Sequence, residues 1–190
     1  SLESDFERLK ISLKDDWNIQ GVTCSVRVLK DLQEKLRRGN WGITVLLYYK
    51  ENTVPEIVDI HSGYSEIPAF GVAIDLGSTS IAATLCDLNS GKIVGSKGIM
   101  NPQIRYGEDV MSRVSYCMME EKGLATLNNS VIQGINELTR KIAEKHGIKL
   151  DSVFEIVFVA NPIMHHLLLG IDPKELGQAP FPLALSDSLT

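Results

Sequence analysis

Gly71-Val72-Ala73-Ile74-Asp75-Leu76-Gly77-Ser78-Thr79-Ser80 is the stretch on which the fold turns. The apolar run at residues 70–74 reads as a strand, residues 80–86 read as a second, and Asp75-Leu76-Gly77-Ser78-Thr79-Ser80 spans the tight turn between them. Gly77 permits a backbone turn that most residues cannot make. Such a turn aims the amides of Gly77, Ser78 and Thr79 at a common point, a concavity suited to phosphate oxygens. The hydroxyls of Ser78 and Thr79 add donors. Asp75, at the strand end, repels a phosphate directly but can hold a hydrated Mg²⁺ that bridges phosphates. The competing reading of the same residues is a plain hairpin with glycine at its turn.

Outward from the turn, Asp87-Leu88-Asn89-Ser90-Gly91 is a turn signal, and residues 92–97 begin a third strand. Three strands so closely spaced form an antiparallel meander. Two helical stretches follow, at about residues 108–119 and 124–146. In the second, Leu127, Val131, Ile135, Leu138 and Ile142 mark one apolar face, and Gly147 ends it. Residues 153–160 are a strongly apolar strand, of the kind buried on both faces. A short helix at about residues 163–169 precedes Gly170 and a Pro-rich tail. The order βββαβα is the opening of a ribonuclease H-like half-domain, whose usual final strand is not evident before Thr190, so the half-domain reads as incomplete.

Two further clusters carry polar residues at element ends. Asn101-Pro102-Gln103-Ile104-Arg105-Tyr106-Gly107-Glu108-Asp109-Val110 joins the third strand to the first helix. Pro102 fixes the chain, and Gly107, Glu108 and Asp109 mark a helix N-terminus. Capping plus a solvated i,i+4 ion pair between Asp109 and Arg113 accounts for this cluster physically. The other cluster is Val159-Ala160-Asn161-Pro162-Ile163-Met164-His165-His166, where a strand ends at Asn161 and a helix starts beyond Pro162. Ligands collect at strand ends in mixed sheets. His165 and His166 point about 100° apart on a helix, which does not suit a shared metal.

A polar, Gly/Pro-broken stretch at residues 61–68 reads as a linker and divides the chain into residues 1–65 and 70–190. The first part reads as a small α/β unit. Val26, Leu29, Leu32 and Leu36 recur at helical spacing, residues 41–49 read as a strand, and residues 57–60 as its partner. The net charge of −5, with no basic run beyond Lys35-Leu36-Arg37-Arg38, argues against nucleic acid as a partner. No apolar run is long enough for a bilayer, and no signal peptide is visible, so a cytoplasmic protein away from membranes is expected. Cys24, Cys86 and Cys117 are isolated and lack any CxxC spacing, which predicts reduced thiols and no metal cluster in this chain.

Taken together, these clusters bear a family resemblance. Residues 71–80 resemble the first phosphate loop of the acetate and sugar kinase, Hsp70 and actin superfamily (ASKHA). Asn101-Pro102-Gln103 with Tyr106-Gly107 and Asp109-Val110, and Asn161 followed by Met164-His165-His166-Leu167-Leu168-Leu169-Gly170, are similar to the reductive activators of corrinoid proteins. Ala160 and Pro162 stand where members of that family commonly carry Gly and Thr. The resemblance implies a small α/β middle domain over residues 1–65 and the N-terminal part of an actin-like ATPase domain over residues 70–190. It implies ATP and Mg²⁺ as cofactors, with Gly77, Ser78, Thr79 and Asn161 binding nucleotide. Asp75 would act through Mg²⁺-bound water, and Asp109 would be a second catalytic candidate. It also implies a [2Fe–2S] domain upstream, outside this chain, and a corrinoid protein of a methyltransferase system as partner, and it leaves a homodimer open. The full-length protein would be an ATPase coupled to reduction of Co(II) to Co(I), and the isolated segment inactive. Another ASKHA ATPase or kinase, such as a radical dehydratase activator, and a non-catalytic docking module are the alternatives.

Overall fold

The structure is a computed structural model that describes residues 3–50, 52–178 and 183–184. Most of the Pro-rich tail, and with it the search for a final strand, lies outside the described residues. The chain divides into two compact units that meet at residues 67 and 68.

The first unit holds α1 (Asp5–Trp17), β1 (Thr23–Cys24), α2 (Val26–Arg38), β2 (Ile43–Tyr48) and β3 (Glu56–Ser62). Both helices begin at a serine whose hydroxyl accepts an N–H of the first turn: Ser4 from Glu7 and Ser25 from Val28. The strands lie in the order β1-β3-β2, with β1 and β3 parallel and β2 and β3 antiparallel. Leu9, Leu13, Val28, Leu32 and Leu36 pack onto Ile57 and Ile60. The inward stripe of α2 is therefore Val28-Leu32-Leu36, at steps of four. Val26, expected on that stripe, is 69% exposed, because it opens the helix one half-turn away. The strand expected from residue 41 starts at Ile43, since Asn40 and Trp41 take left-handed φ values of 49° and 69° as the chain leaves α2. The Trp41 ring lies beneath two guanidinium groups instead, those of Arg8 and Arg37, 5.6 and 5.3 Å from its centre.

The second unit runs β4 (Phe70–Leu76), β5 (Ser80–Asp87), β6 (Ile93–Met100), a 3-10 turn (Pro102–Tyr106), α3 (Val110–Met119), α4 (Gly123–Lys145), β7 (Val153–Ala160) and α5 (Pro162–Leu169). This is the expected α/β order with a two-helix crossover. The sheet order is β6-β5-β4-β7, antiparallel through the meander and parallel between β4 and β7. One sheet face, carrying Val72, Ile74, Leu76, Ile81, Ala83 and Leu85, is covered by the apolar face of α4: Leu127, Val131, Ile135, Leu138 and Ile142. The opposite pleat of β4 holds Ala73 and Asp75, both exposed. The expectation that β7 is buried on both faces is not met. Among the described residues it is one of the two edge strands, and Ile156, Val157, Phe158 and Val159 are all exposed, Val159 by 68%. Periodicity distinguishes a continuous apolar run from an alternating one but not a central strand from an edge strand. Among the described residues no helix is long and apolar enough to cross a membrane.

Candidate functional site

The turn between β4 and β5 is built by the strands that enter and leave it, with Leu76 paired to Ile81. Gly77 is required there for a reason other than the one its sequence suggested. Its φ is not left-handed. A Cβ on Gly77 would lie 2.8 Å from the carbonyl oxygen of Ser80, closer than a real Cβ comes to a backbone atom. The glycine is a matter of close approach rather than of turn handedness.

Each carbonyl of the turn is tied back to the body of the unit. Asn101 Nδ2 donates to the Gly77 carbonyl at 2.8 Å. Arg113 Nη2 donates to that of Ser78. The Asn101 backbone N–H donates to that of Thr79 at 2.8 Å. In contrast, among the described residues the amides of Ser78 and Thr79 have no hydrogen-bond acceptor, while the Gly77 amide faces the Ser80 carbonyl at the end of the β4–β5 ladder. A peptide whose carbonyl is held from behind directs its N–H the other way. The Ser78 N–H shares a peptide with the Gly77 carbonyl and the Thr79 N–H with the Ser78 carbonyl, so these two successive amides face outward and form a concavity for an anion. The Asp75 carboxylate, on the exposed pleat of β4, also has no partner among the described residues. It is a hard oxygen donor of the kind that holds a hydrated Mg²⁺, and the free amides suit phosphate oxygens, so the residues present fit both groups.

The two residues that tie the turn back are buried: Asn101 is 1% exposed and Arg113 is 0% exposed. Asn101 also accepts the Gln103 N–H through Oδ1 at 2.9 Å, which starts the 3-10 turn. Gln103, equally buried, donates through Nε2 to the Leu127 carbonyl of α4 at 2.9 Å. The turn is thereby linked to the helix that covers the sheet. The ion pair expected between Asp109 and Arg113 does not form. Asp109 caps α3, accepting the Ser112 N–H through Oδ1 at 2.7 Å, and that bond holds its carboxyl below the usual value. Arg113 points inward, and burial lowers its pKa, with Asp109 opposing the shift. Its inward position has a signature in the sequence: Val110, Arg113, Val114 and Cys117 fall at i, i+3, i+4 and i+7, the stripe of a core-facing helix side.

Asn161 follows the last residue of β7. Since Leu76 and Ala160 are parallel partners, the β4–β5 turn and Asn161 emerge at the same end of the sheet. Asn161 caps α5, accepting the Met164 N–H through Oδ1 at 2.9 Å. His166 is buried, with Nδ1 bonded to the Pro162 carbonyl at 2.7 Å and Nε2 accepting the Ala184 N–H at 3.3 Å, so the ring is engaged at both nitrogens. The structure thus brings Asp75, the turn and Asn161 to one sheet end. It ties Asp109 to them only through Arg113, one helical turn further on. Cys24, Cys86 and Cys117 are free thiols.

Comparison with known proteins gives the same two-part division. A family model described as the RACo middle region matches residues 70–190, and one described as the RACo linker region matches residues 2–67. The word "middle" therefore belongs to the second unit, and the first unit, expected to be the middle domain, carries the linker label. The corrinoid activation enzyme RamQ of Eubacterium limosum is 33% identical over 126 residues, covering 66% of this chain and 21% of that protein. A solved structure described as a reductive activator for a corrinoid, iron–sulfur protein superposes with a TM-score of 0.85 at 33% identity, over 96% of this chain and 29% of that one. The chain thus spans less than a third of the length of either relative.

Proposed function

The chain belongs to the RACo family, the reductive activators of corrinoid proteins, and from that premise we propose that it supplies the phosphate-binding turn of an ATP-dependent corrinoid activator. The observation that carries this reading is the turn itself, with the free amides of Ser78 and Thr79 on peptides whose carbonyls are tied back by Asn101 and Arg113, beside an unpartnered Asp75. The amides of Ser78 and Thr79 bind the phosphate end of ATP, Gly77 lets the turn close beneath it, and the side chains of Ser78 and Thr79 add hydroxyl donors. Asp75 orients water held on Mg²⁺, which neutralises phosphate charge when bound. Asn161, at the same sheet end, borders the site.

In the whole protein, an upstream [2Fe–2S] domain would supply the one electron that takes the Co(II) corrinoid of a partner protein to Co(I). ATP binding and hydrolysis drive the rearrangement of the partners that makes this transfer feasible. The partner is a corrinoid protein of a methyltransferase system. The second phosphate loop and the adenosine pocket belong to other parts of the protein, so residues 1–190 alone hydrolyse ATP poorly.

The test is ATP affinity, ATP hydrolysis and the appearance of the Co(I) absorption band in the full-length protein. Asp75→Ala is expected to reduce hydrolysis more than nucleotide affinity. Gly77→Val is expected to reduce both, since its side chain enters the space occupied by the Ser80 carbonyl. If both variants fold and keep wild-type hydrolysis and cobalt reduction, the turn is a structural hairpin and the reading fails.

A further inference from the structure

We propose that Arg113 is the positioning residue of this turn, a buried cation that holds the Ser78–Thr79 peptide with the Thr79 amide turned outward and whose charge is completed by the oxyanion the turn receives. The inference rests on the phosphate-binding reading above and adds a residue that reading does not require.

Four acceptors surround the guanidinium. Nε donates to the Gly107 carbonyl at 2.9 Å. Nη1 lies 3.3 Å from Gln103 Oε1 and 3.1 Å from Met164 Sδ. Nη2 donates to the Ser78 carbonyl. All four are neutral. Among the described residues no carboxylate forms a contact ion pair with Arg113; Asp109, one helical turn before it, accepts the Ser112 N–H through Oδ1 and attracts the guanidinium only across a longer distance. Arginine stays charged even when buried, and a buried charge without a counter-ion is costly. A strut that only tied four groups together would not need the charge, because a neutral amide donor satisfies a carbonyl without that cost. The charge instead lies directly behind the Ser78–Thr79 peptide, on the side away from its free amide, in a region of low dielectric where its attraction for an anion is weakly screened. The flat, five-donor guanidinium is also the side chain that can bond acceptors in several directions at once. Lysine keeps the charge but not the geometry.

The experiment compares wild type, Arg113→Lys and Arg113→Met in the full-length protein. Calorimetry gives the Kd for ATP with Mg²⁺. Thermal unfolding gives the Tm without ligand and its rise on adding inorganic pyrophosphate. Arg113→Met is expected to weaken ATP binding by about tenfold or more, the size expected for a lost charge-assisted hydrogen bond. It should also abolish most of the pyrophosphate-induced rise. Arg113→Lys should fall between the two. Wild-type ATP affinity and an undiminished pyrophosphate shift in Arg113→Met would overturn the inference, as would a lowered ligand-free Tm with both ligand responses intact. If Arg113→Met does not fold, Arg113→Lys decides: weakened ATP binding supports the inference and wild-type binding overturns it. Failure of the wild type itself to bind ATP or pyrophosphate would remove the phosphate-binding reading. Unchanged binding in the Arg113 variants would remove this inference alone.

Discussion

Three residues show how a side chain's role depends on which way it points. Gly77, Asp109 and Arg113 are all conspicuous in the sequence, yet each acts differently from what its neighbours in the chain suggest. Gly77 is present for lack of a Cβ against Ser80, and the pairing of Asp109 with Arg113 gives way to one cap and one inward cation. The i,i+4 spacing of Asp109 and Arg113 was legible, but spacing does not say that the arginine lies on the apolar side of α3. Because the Ser112 N–H holds Asp109 below its ordinary pKa, its contribution to stability is fully present above the unfolded value of about 3.9 and is lost as pH falls through the lower folded value. The stability difference between wild type and Asp109→Asn, measured by urea unfolding, should therefore narrow on acidification below about pH 4; a difference that stays constant would show that the cap does not titrate in this way. At Cys117, burial first and nearby Asp172 second push the thiol up to about 11. At pH 8 it should react with a thiol reagent about a hundredfold more slowly in the native protein than in urea, and equal rates would show the thiol to be accessible.

Among the elements, α4 was the most legible because its period is strict and long. The five apolar positions read from the sequence are the five that pack on the sheet. Leu138, wholly buried in that contact, should cost about 2–5 kcal/mol when changed to Ala, read as a lower urea midpoint for the second unit. The bounds of β7 were equally legible, since its apolar run and its strand coincide. Its place in the sheet was not, because pairing partners are set by tertiary packing and not by local composition. The same limit applies to α2, where the choice between Val26 and Val28 for the inward stripe depends on where the helix begins. Asn161 works at an element boundary: it ends β7 and caps α5 with one side chain. Asn161→Ala should lower stability by about 1 kcal/mol, and Asn161→Ser should restore most of it. If Ser restores the fold but not ATP affinity, the amide has a role at the site beyond its cap.

At the scale of the whole molecule, the strands at residues 43–48 and 70–76 belong to separate sheets, and each unit has its own buried cluster. We expect Leu32→Ala to lower the unfolding midpoint of residues 3–67 while leaving that of the second unit in place, as followed by hydrogen exchange resolved along the chain. A shared shift of both would show that the units unfold as one. Limited proteolysis is expected to cut first between residues 63 and 68, where the chain carries Gly63 and Pro68 between two cores. The parallel pairing of β4 with β7 also sets an order in time. β4, β5 and β6 join neighbours a few residues away, whereas β7 must find a partner about eighty positions earlier, and loop closure over such a span is slow. The meander can form early and β7 arrive last, on an edge already waiting for it. Substitutions in β7 should then hasten unfolding and leave the refolding rate almost untouched, while Ile81→Val in the meander slows refolding. The β4–β5 turn lies inside the early part and Asn161 at the end of the late one, so the two sides of the candidate site would be assembled at opposite ends of the folding reaction.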